Sequence, residues 1–211
     1  MSDKYTHQQY GNRFRVTPSR AYHKYWQGYV EQRVLLPNGK TKIEREYVAP
    51  WKQHKISGKK WILLKTVYAL LTITSIALFL LALTQDVGSN RCWYVALFGL
   101  PAGLLLFLFA VTVSLYIFNP RKMTLWEFTS STSRLKLVTL ISTILLILSA
   151  ASTGLYTILE PNSFFAREVI CLALLLLSAS VAFAVNRIES KMAYEDIRND
   201  KEPAEGSYII K

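Results

Sequence analysis

Residues 61–83 read WILLKTVYALLTITSIALFLLAL, and they place this chain among the membrane proteins. Lys65 is the only charged residue in this stretch. A helix rises ~1.5 Å per residue, so roughly 20 apolar residues cross the ~30 Å hydrocarbon core of a bilayer. Three further stretches have a similar length and polarity, namely residues 92–118, 137–159 and 164–186. The sequence therefore predicts a membrane all-α fold, a bundle of four transmembrane helices.

The charges are concentrated outside these stretches. The formal net charge is +11, and residues 1–60 hold 13 Lys or Arg against four Asp or Glu. We therefore divide the chain into an N-terminal segment (1–60), a transmembrane domain (61–186) and a C-terminal helix and tail (187–211). The helix of that last part is predicted over residues 187–200, and residues 208–210 could form a short docking strand.

Lysine and arginine also predict the orientation, because short cytoplasmic loops carry the excess of positive charge. The segment before residue 61, the loop 119–136 and the region after residue 186 are rich in basic residues. The two other connections, 84–91 and 160–167, carry one arginine and one acid each. Both termini are therefore expected in the cytoplasm, in a multi-pass protein of the plasma membrane.

A lysine cluster directly precedes the first span. Lys52, Lys55, Lys59 and Lys60 would each gain roughly 1 kcal/mol from anionic lipid headgroups. Membrane lipids are therefore expected partners. Lys65, one turn into the span, is expected to extend its ammonium back to the same headgroups.

Small residues predict where the helices contact each other, since close packing drives helix association in lipid. Gly99 and Gly103 have the GxxxG spacing, with Pro101 between them. Ala150 and Gly154 have the same spacing in the third span. We assign these residues to helix packing.

The titratable residues do not predict catalysis or ion transport. Transporters usually keep an Asp, Glu or His inside the membrane, whereas Glu168 and Glu189 are expected at or beyond the span ends. The histidines His7, His23 and His54 lack the spacing of a metal site. No cofactor, metal or enzymatic activity is therefore expected.

The hydroxyl and thiol residues give the same result. The serines of the last two spans lack a neighbouring base, which a serine nucleophile requires. Cys92 and Cys171 are expected at different depths, so a disulfide between them is not favoured, although it stays open.

The N-terminal segment predicts a β-hairpin over about residues 25–48. Asn38-Gly39 separates two alternating, aromatic-rich runs, which is a strong hairpin signal. A two-residue turn there would set Val34 opposite Ile43, Val30 opposite Tyr47, and Arg33 opposite Glu44. The same register sets Glu31 against Glu46, so a longer loop or a shifted register stays open.

An isolated hairpin is marginal in water and needs a surface to pack on. Trp26, Tyr29 and Tyr47 are therefore the predicted partner-binding residues. The surface on which the hairpin packs would be the cytoplasmic leaflet, a second copy of this chain or a partner protein. Nucleic acid is not expected, because the segment carries no recognised DNA or RNA motif.

The hairpin, from His23-Lys24-Tyr25-Trp26 through Asn38-Gly39-Lys40 to Trp51, followed by four spans, resembles small four-helix membrane proteins of Gram-positive bacteria. The resemblance implies the bacterial plasma membrane and no particular activity. The sequence thus predicts a non-catalytic membrane subunit or scaffold that recruits a partner at the cytoplasmic face. A small transporter or channel subunit is the alternative, and a membrane-embedded enzyme acting on lipid is a third.

Overall fold

The structure is a computed structural model that describes residues 25–35, 40–160, 165–199 and 208–209. The chain divides into two compact units. The first, which we call the sheet unit, comprises Met1–Gln53, Lys122–Phe128 and Glu195–Lys211. The second, the helical unit, comprises His54–Arg121 and Thr129–Tyr194.

Four helices of 26 residues dominate the described part of the chain. They are α1 (Gly58–Leu83), α2 (Trp93–Phe118), α4 (Arg134–Leu159) and α5 (Phe165–Ser190). A short helix α3 (Leu125–Phe128) and a π-helical turn (Thr129–Ser133) precede α4. The expectation of four apolar helices long enough to cross a membrane is confirmed, which indicates a multi-pass membrane protein.

The helical unit is an antiparallel bundle in which each long helix packs on two others. Helix α1 packs against α2 and α5, and α4 packs against the same two helices. Phe109, Leu146 and Leu175 belong to the shared core. Many leucines and isoleucines on the opposite faces, such as Leu100 and Ile158, remain exposed. Helices that are apolar all round suit a lipid environment.

The predicted packing residues contact different neighbours. A Cβ on Gly103 would lie 3.1 Å from the Phe79 ring of α1, whereas one on Gly99 would lie 3.6 Å from the Ser149 hydroxyl of α4. The two glycines of the GxxxG pair thus face two different helices. In α4, Ala150 is buried, and a Cβ on Gly154 would lie 3.0 Å from Leu172 of α5.

The first sheet of the sheet unit has the strand order β2-β1-β6. Strands β1 (Tyr29–Leu35) and β2 (Thr41–Tyr47) pair antiparallel, as the hairpin prediction requires. Strand β6 (Tyr208–Ile209) pairs antiparallel with β1, so this part of the predicted docking strand is present. The turn at Asn38-Gly39 lies outside the described residues.

The register predicted from a two-residue turn is wrong by one position. The structure pairs Tyr29 with Tyr47 and Glu31 with Arg45, so Glu31 no longer opposes Glu46. The same shift sets Arg33 opposite Ile43, so the predicted pairing of Arg33 with Glu44 is absent. The alternative of a shifted register, which the sequence left open, is therefore the one the chain adopts.

A second sheet has the order β4-β3-β5, formed by Lys122–Met123, Trp51–His54 and Tyr194–Ile197. The predicted helix over residues 187–200 is wrong after Ser190, where α5 ends. Residues 194–197 form a strand instead, because the edge of β3 supplies hydrogen-bonding partners for an extended chain. The helical periodicity of residues 187–200 carries no information about that edge.

Candidate functional site

A buried carboxylate cluster occupies one end of the helical unit. Its centre is Glu189, in the last turn of α5, which is 0% exposed. Tyr68 and Tyr116 donate hydrogen bonds to Oε2 of Glu189 at 2.7 and 3.3 Å, and Tyr194 donates to Oε1. Three hydroxyl donors satisfy most of the acceptor capacity of a carboxylate, which is otherwise expensive to bury.

His54 extends this network from the end of β3. Its side chain is fully buried between the Trp61 and Tyr194 rings, at centroid distances of 4.1 and 4.2 Å, and Nε2 lies 3.1 Å from the Tyr116 hydroxyl. Because Tyr116 donates its proton to Glu189, the network assigns the imidazole proton to Nε2, which donates to Tyr116. The hydrogen-bonded chain then runs from His54 through Tyr116 to Glu189.

Burial is the main cause of the lowered pKa of His54, and the positive charges of Arg121, Lys65 and Lys136 act in the same direction. Together they lower this pKa from 6.5 to about 4. The imidazole is therefore neutral near pH 7. Burial also raises the pKa of Tyr194, with the Glu189 carboxylate as the second cause. The Tyr194 hydroxyl therefore also stays neutral near pH 7.

This cluster was not predicted from the sequence. Both acids lie near the ends of a long helix, as expected, but the expectation that the bundle holds no buried acid is wrong. Glu168 and Glu189 are 1% and 0% exposed, at opposite ends of α5. The predicted span stopped at residue 186, where the hydropathy falls, but α5 continues to Ser190. A signal was present in the sequence, because most buried residues of α5 recur at intervals of three and four, namely Glu168, Cys171, Leu175, Ser178, Ala182, Val185 and Glu189.

The hydroxyl residues that could line a transport path are largely bonded within the bundle. Thr139, Thr143 and Thr153 of α4 each donate to a carbonyl one turn earlier in their own helix. Ser75 and Ser178 bond each other across the α1–α5 contact, with 3.0 Å between their hydroxyl oxygens. The threonine bonds thus lie within one helix, whereas the serine pair joins α1 to α5.

The three predicted partner-binding residues lie in one aromatic row of the sheet unit. The centroids of Trp26 and Tyr29 are 5.0 Å apart, those of Tyr29 and Tyr47 are 5.1 Å apart, and Trp51 follows Tyr47 at 4.6 Å. The guanidinium of Arg45 lies over Trp26 at 4.6 Å. The structure therefore brings the three together, but it packs their rings on one another.

Tyr47 is the most buried ring of this row. Its hydroxyl donates to the Pro50 carbonyl at 3.0 Å and accepts from the Leu125 backbone N–H at 3.1 Å. Burial raises its pKa. Its first role is thus to hold the segment after β2 to the start of α3.

An open groove of about 860 Å³ runs along β2. Its wall is the strand itself from residue 42 to 47, and Trp51, Lys122 and Asn199 complete the lining. Within the described ranges β2 pairs with β1 alone, and at one end of the groove the Asn199 side-chain amide donates to the Tyr47 carbonyl at 2.6 Å. Residues 42–46 are exposed, whereas Tyr47 is buried at the base.

The predicted lipid-contacting lysines differ in their surroundings. Lys55, Lys59 and Lys60 are exposed, whereas Lys52 forms an ion pair with Asp196 at 2.5 Å. Lys65, expected to reach the headgroups, has protein partners. It donates to the carbonyls of Ile117 and Asn119, at the C-terminal end of α2, at 2.7 and 2.8 Å.

Within the part of the chain that the structure describes, no group of three or more His, Cys, Asp or Glu side chains could hold a metal ion. Cys92 and Cys171 are both free thiols. Comparison with protein-family models, curated proteins and solved structures found no match to this chain.

Proposed function

We propose that this chain is a non-catalytic subunit or scaffold of the plasma membrane that recruits a protein partner at the cytoplasmic face. The groove along β2 carries the proposal. An exposed strand edge binds an extended peptide by main-chain hydrogen bonds, and side-chain pockets beside it supply specificity. The four long helices provide the membrane anchor, with both termini on the cytoplasmic side.

The groove has the composition of a peptide-docking surface. Lys42 and Glu44 form an ion pair at 3.1 Å on the exposed strand, and the Tyr47 and Trp51 rings lie at its base. Lys122 places its ammonium 5.4 Å from the Trp51 ring centroid. A bound peptide would thus meet charges of both signs along the strand and an aromatic contact at the end.

This surface refines the residues predicted from sequence. Tyr47 lines the groove, while Trp26 and Tyr29 belong to the aromatic row packed behind it. Replacing all three would disturb the folding of the sheet unit as well as binding. Exposed residues of β2 give a cleaner test.

The experiment places a photo-cross-linking amino acid at Ile43, in the groove, in the protein expressed in its native membrane. We expect one discrete adduct, which is lost when Lys42 and Glu44 are replaced by alanine. The same cross-linker at Asp86, exposed in the loop after α1, is the matched control and should not give that adduct.

An adduct of the same mass from both positions, or no adduct from Ile43 in properly inserted protein, would contradict the proposal. An adduct of twice the chain mass would identify the partner as a second copy. An adduct with a different protein would identify that protein as the recruited component.

One observation supports the alternative function, a small transporter or channel subunit. Buried acids inside a bundle often mark ion pathways, and Glu168 and Glu189 are both buried. Solute or proton flux into liposomes containing the purified protein, lost in Glu189→Gln, would favour this alternative over recruitment.

A further inference from the structure

Strand β2 directs half of its backbone groups away from β1. Val48, directly after the strand, donates its N–H to the carbonyl of Gly28, the residue before β1. The Tyr47 carbonyl points the other way and accepts from the Asn199 amide. Because the backbone groups of successive residues alternate between the two sides of a strand, Ile43 also points its N–H and C=O away from β1. Within the described ranges no other strand pairs with β2 on that side.

An exposed strand edge is a template for a further strand. Residues 42–46 are exposed, and the groove of about 860 Å³ lies beside them. Charged side chains usually protect such an edge from pairing. The order of the charges here does not protect β2 from a second copy of itself, because two basic residues precede Ile43 and two acidic residues follow it, namely Lys40, Lys42, Glu44 and Glu46.

We propose that β2 pairs antiparallel with β2 of a second copy of this chain, about a twofold axis at Ile43. A twofold interface uses the same surface on both copies and must be complementary to itself. This axis sets Lys42 of each copy opposite Glu44 of the other, and Lys40 opposite Glu46. The two Ile43 side chains form an apolar pair at the centre. The pairing joins two three-stranded sheets of order β2-β1-β6 into one.

Charge selects this register over the neighbouring ones. An axis at Lys42 or at Glu44 would set that residue opposite its own copy. An axis at Arg45 would set Arg45 opposite itself and Glu44 opposite Glu46. Like charges directly opposite each other are destabilising, so the axis at Ile43 is the one of these four that opposes unlike charges only.

The ion pair within one strand does not prevent this exchange. Lys42 and Glu44 of the same chain lie 3.1 Å apart, with side chains that are 59% and 52% exposed. An exposed ion pair contributes little to stability. Each side chain therefore loses little when it pairs across the axis instead.

The first test is disulfide cross-linking of the full-length protein in its native membrane. Cys92→Ser removes the accessible native thiol, and Cys171 is buried. In this background Ile43→Cys should give a disulfide-linked dimer under mild oxidation. Hydrogen-bonded residues opposite each other have Cα atoms ~5.5 Å apart, which is within the range of a disulfide.

Glu46→Cys is the matched control, since Glu46 is exposed on the same strand. It would lie opposite residue 40 of the second copy, so its thiol and the equivalent thiol would be ~20 Å apart at ~3.4 Å per residue. We expect at least about tenfold less dimer from Glu46→Cys than from Ile43→Cys, because Cα atoms more than ~7 Å apart cannot be bridged.

The second test exchanges charges between copies that also carry Ile43→Cys. Lys42→Glu and Glu44→Lys each place like charges across the axis, so each variant alone should give several-fold less dimer. Co-expressed with different tags, the two should form a mixed dimer at the original yield, because unlike charges again face each other. Both variants lack the Lys42–Glu44 pair within the chain, so this recovery cannot come from the folding of one copy.

Equal dimer yields from Ile43→Cys and Glu46→Cys, or a mixed dimer no more abundant than either variant gives alone, would overturn the inference. The inference rests on the proposed function, since it names the occupant of the same groove, but the two fail differently. A photo-adduct of Ile43 with a different protein, without an Ile43→Cys dimer, overturns the second copy and leaves recruitment standing. Absence of both products overturns both.

Discussion

Acidification should destabilise this protein through His54. Its pKa is about 4 in the folded protein against 6.5 for an ordinary histidine, because the ring is buried beside cationic groups. Below pH 6.5 the unfolded chain therefore binds a proton that the folded chain does not bind until the pH approaches 4. The contribution of this residue is fully present above pH 6.5 and is lost as the pH falls through this window.

The magnitude follows from the two pKa values. The full loss is about 3 kcal/mol, and between about pH 7.5 and about pH 5 it amounts to about 2 kcal/mol. For a chain of this size, 2 kcal/mol corresponds to a fall in Tm of roughly 4 to 8 °C. Carboxylates also titrate near pH 5, so the assay compares the wild-type protein with His54→Gln.

Glutamine does not titrate, and it keeps an N–H donor for the Tyr116 hydroxyl. Thermal unfolding is measured in detergent at the two pH values. The fall in Tm from the higher to the lower pH should be larger in the wild-type protein than in His54→Gln, by roughly 4 to 8 °C. An equal fall in both proteins would refute the reasoning, because it would show that His54 is protonated in the folded state or exposed to water.

Two further predictions concern the helix contacts. Gly103→Ala should lower Tm, because the added Cβ would lie 3.1 Å from the Phe79 ring. Gly99→Ala meets only a contact at 3.6 Å and should leave Tm unchanged or raise it, since alanine is about 1 kcal/mol better than glycine within a helix. Equal effects of the two changes in a thermal unfolding assay would contradict this assignment. Lys65→Met should destabilise by about 1 to 3 kcal/mol, because two carbonyls at the end of α2 lose a charged donor. Lys60→Met, at an exposed position, is its control in the same assay, and an equally large effect there would count against the capping role.

The long helices could be predicted from the sequence because their signal is local. A run of apolar residues with one charge, such as 61–83, is sufficient to predict a helix of membrane-spanning length. The hairpin was predictable for the same reason, since its alternating runs flank Asn38-Gly39. Its register was not, because the two strands alone do not include β6, which comes from the far end of the chain and also pairs with β1.

The buried cluster was not predictable, because its partners are distant in sequence. Glu189 is buried by tyrosines from α1, α2 and the segment after α5, so its surroundings exist only after the bundle forms. Hydropathy gave the opposite expectation, since a glutamate beyond an apolar run is usually solvated. Only the spacing of three and four residues between Glu189 and the other buried residues of α5 indicates that Glu189 lies on the buried face.

That spacing also limits what the two acids can do together. Glu168, Leu175, Ala182 and Glu189 recur every seventh position on the buried face of α5, so the two carboxylates lie roughly 32 Å apart, about the thickness of a hydrocarbon core. Cys171 and Ser178 also belong to this face, and the Ser178 hydroxyl lies 3.0 Å from that of Ser75 in α1. Ser178 is nevertheless roughly 15 Å from either acid along the helix axis, whereas a hydrogen bond spans ~3 Å. The buried face of α5 therefore does not by itself connect the two acids. If flux through liposomes is found, groups on the other helices must complete its path.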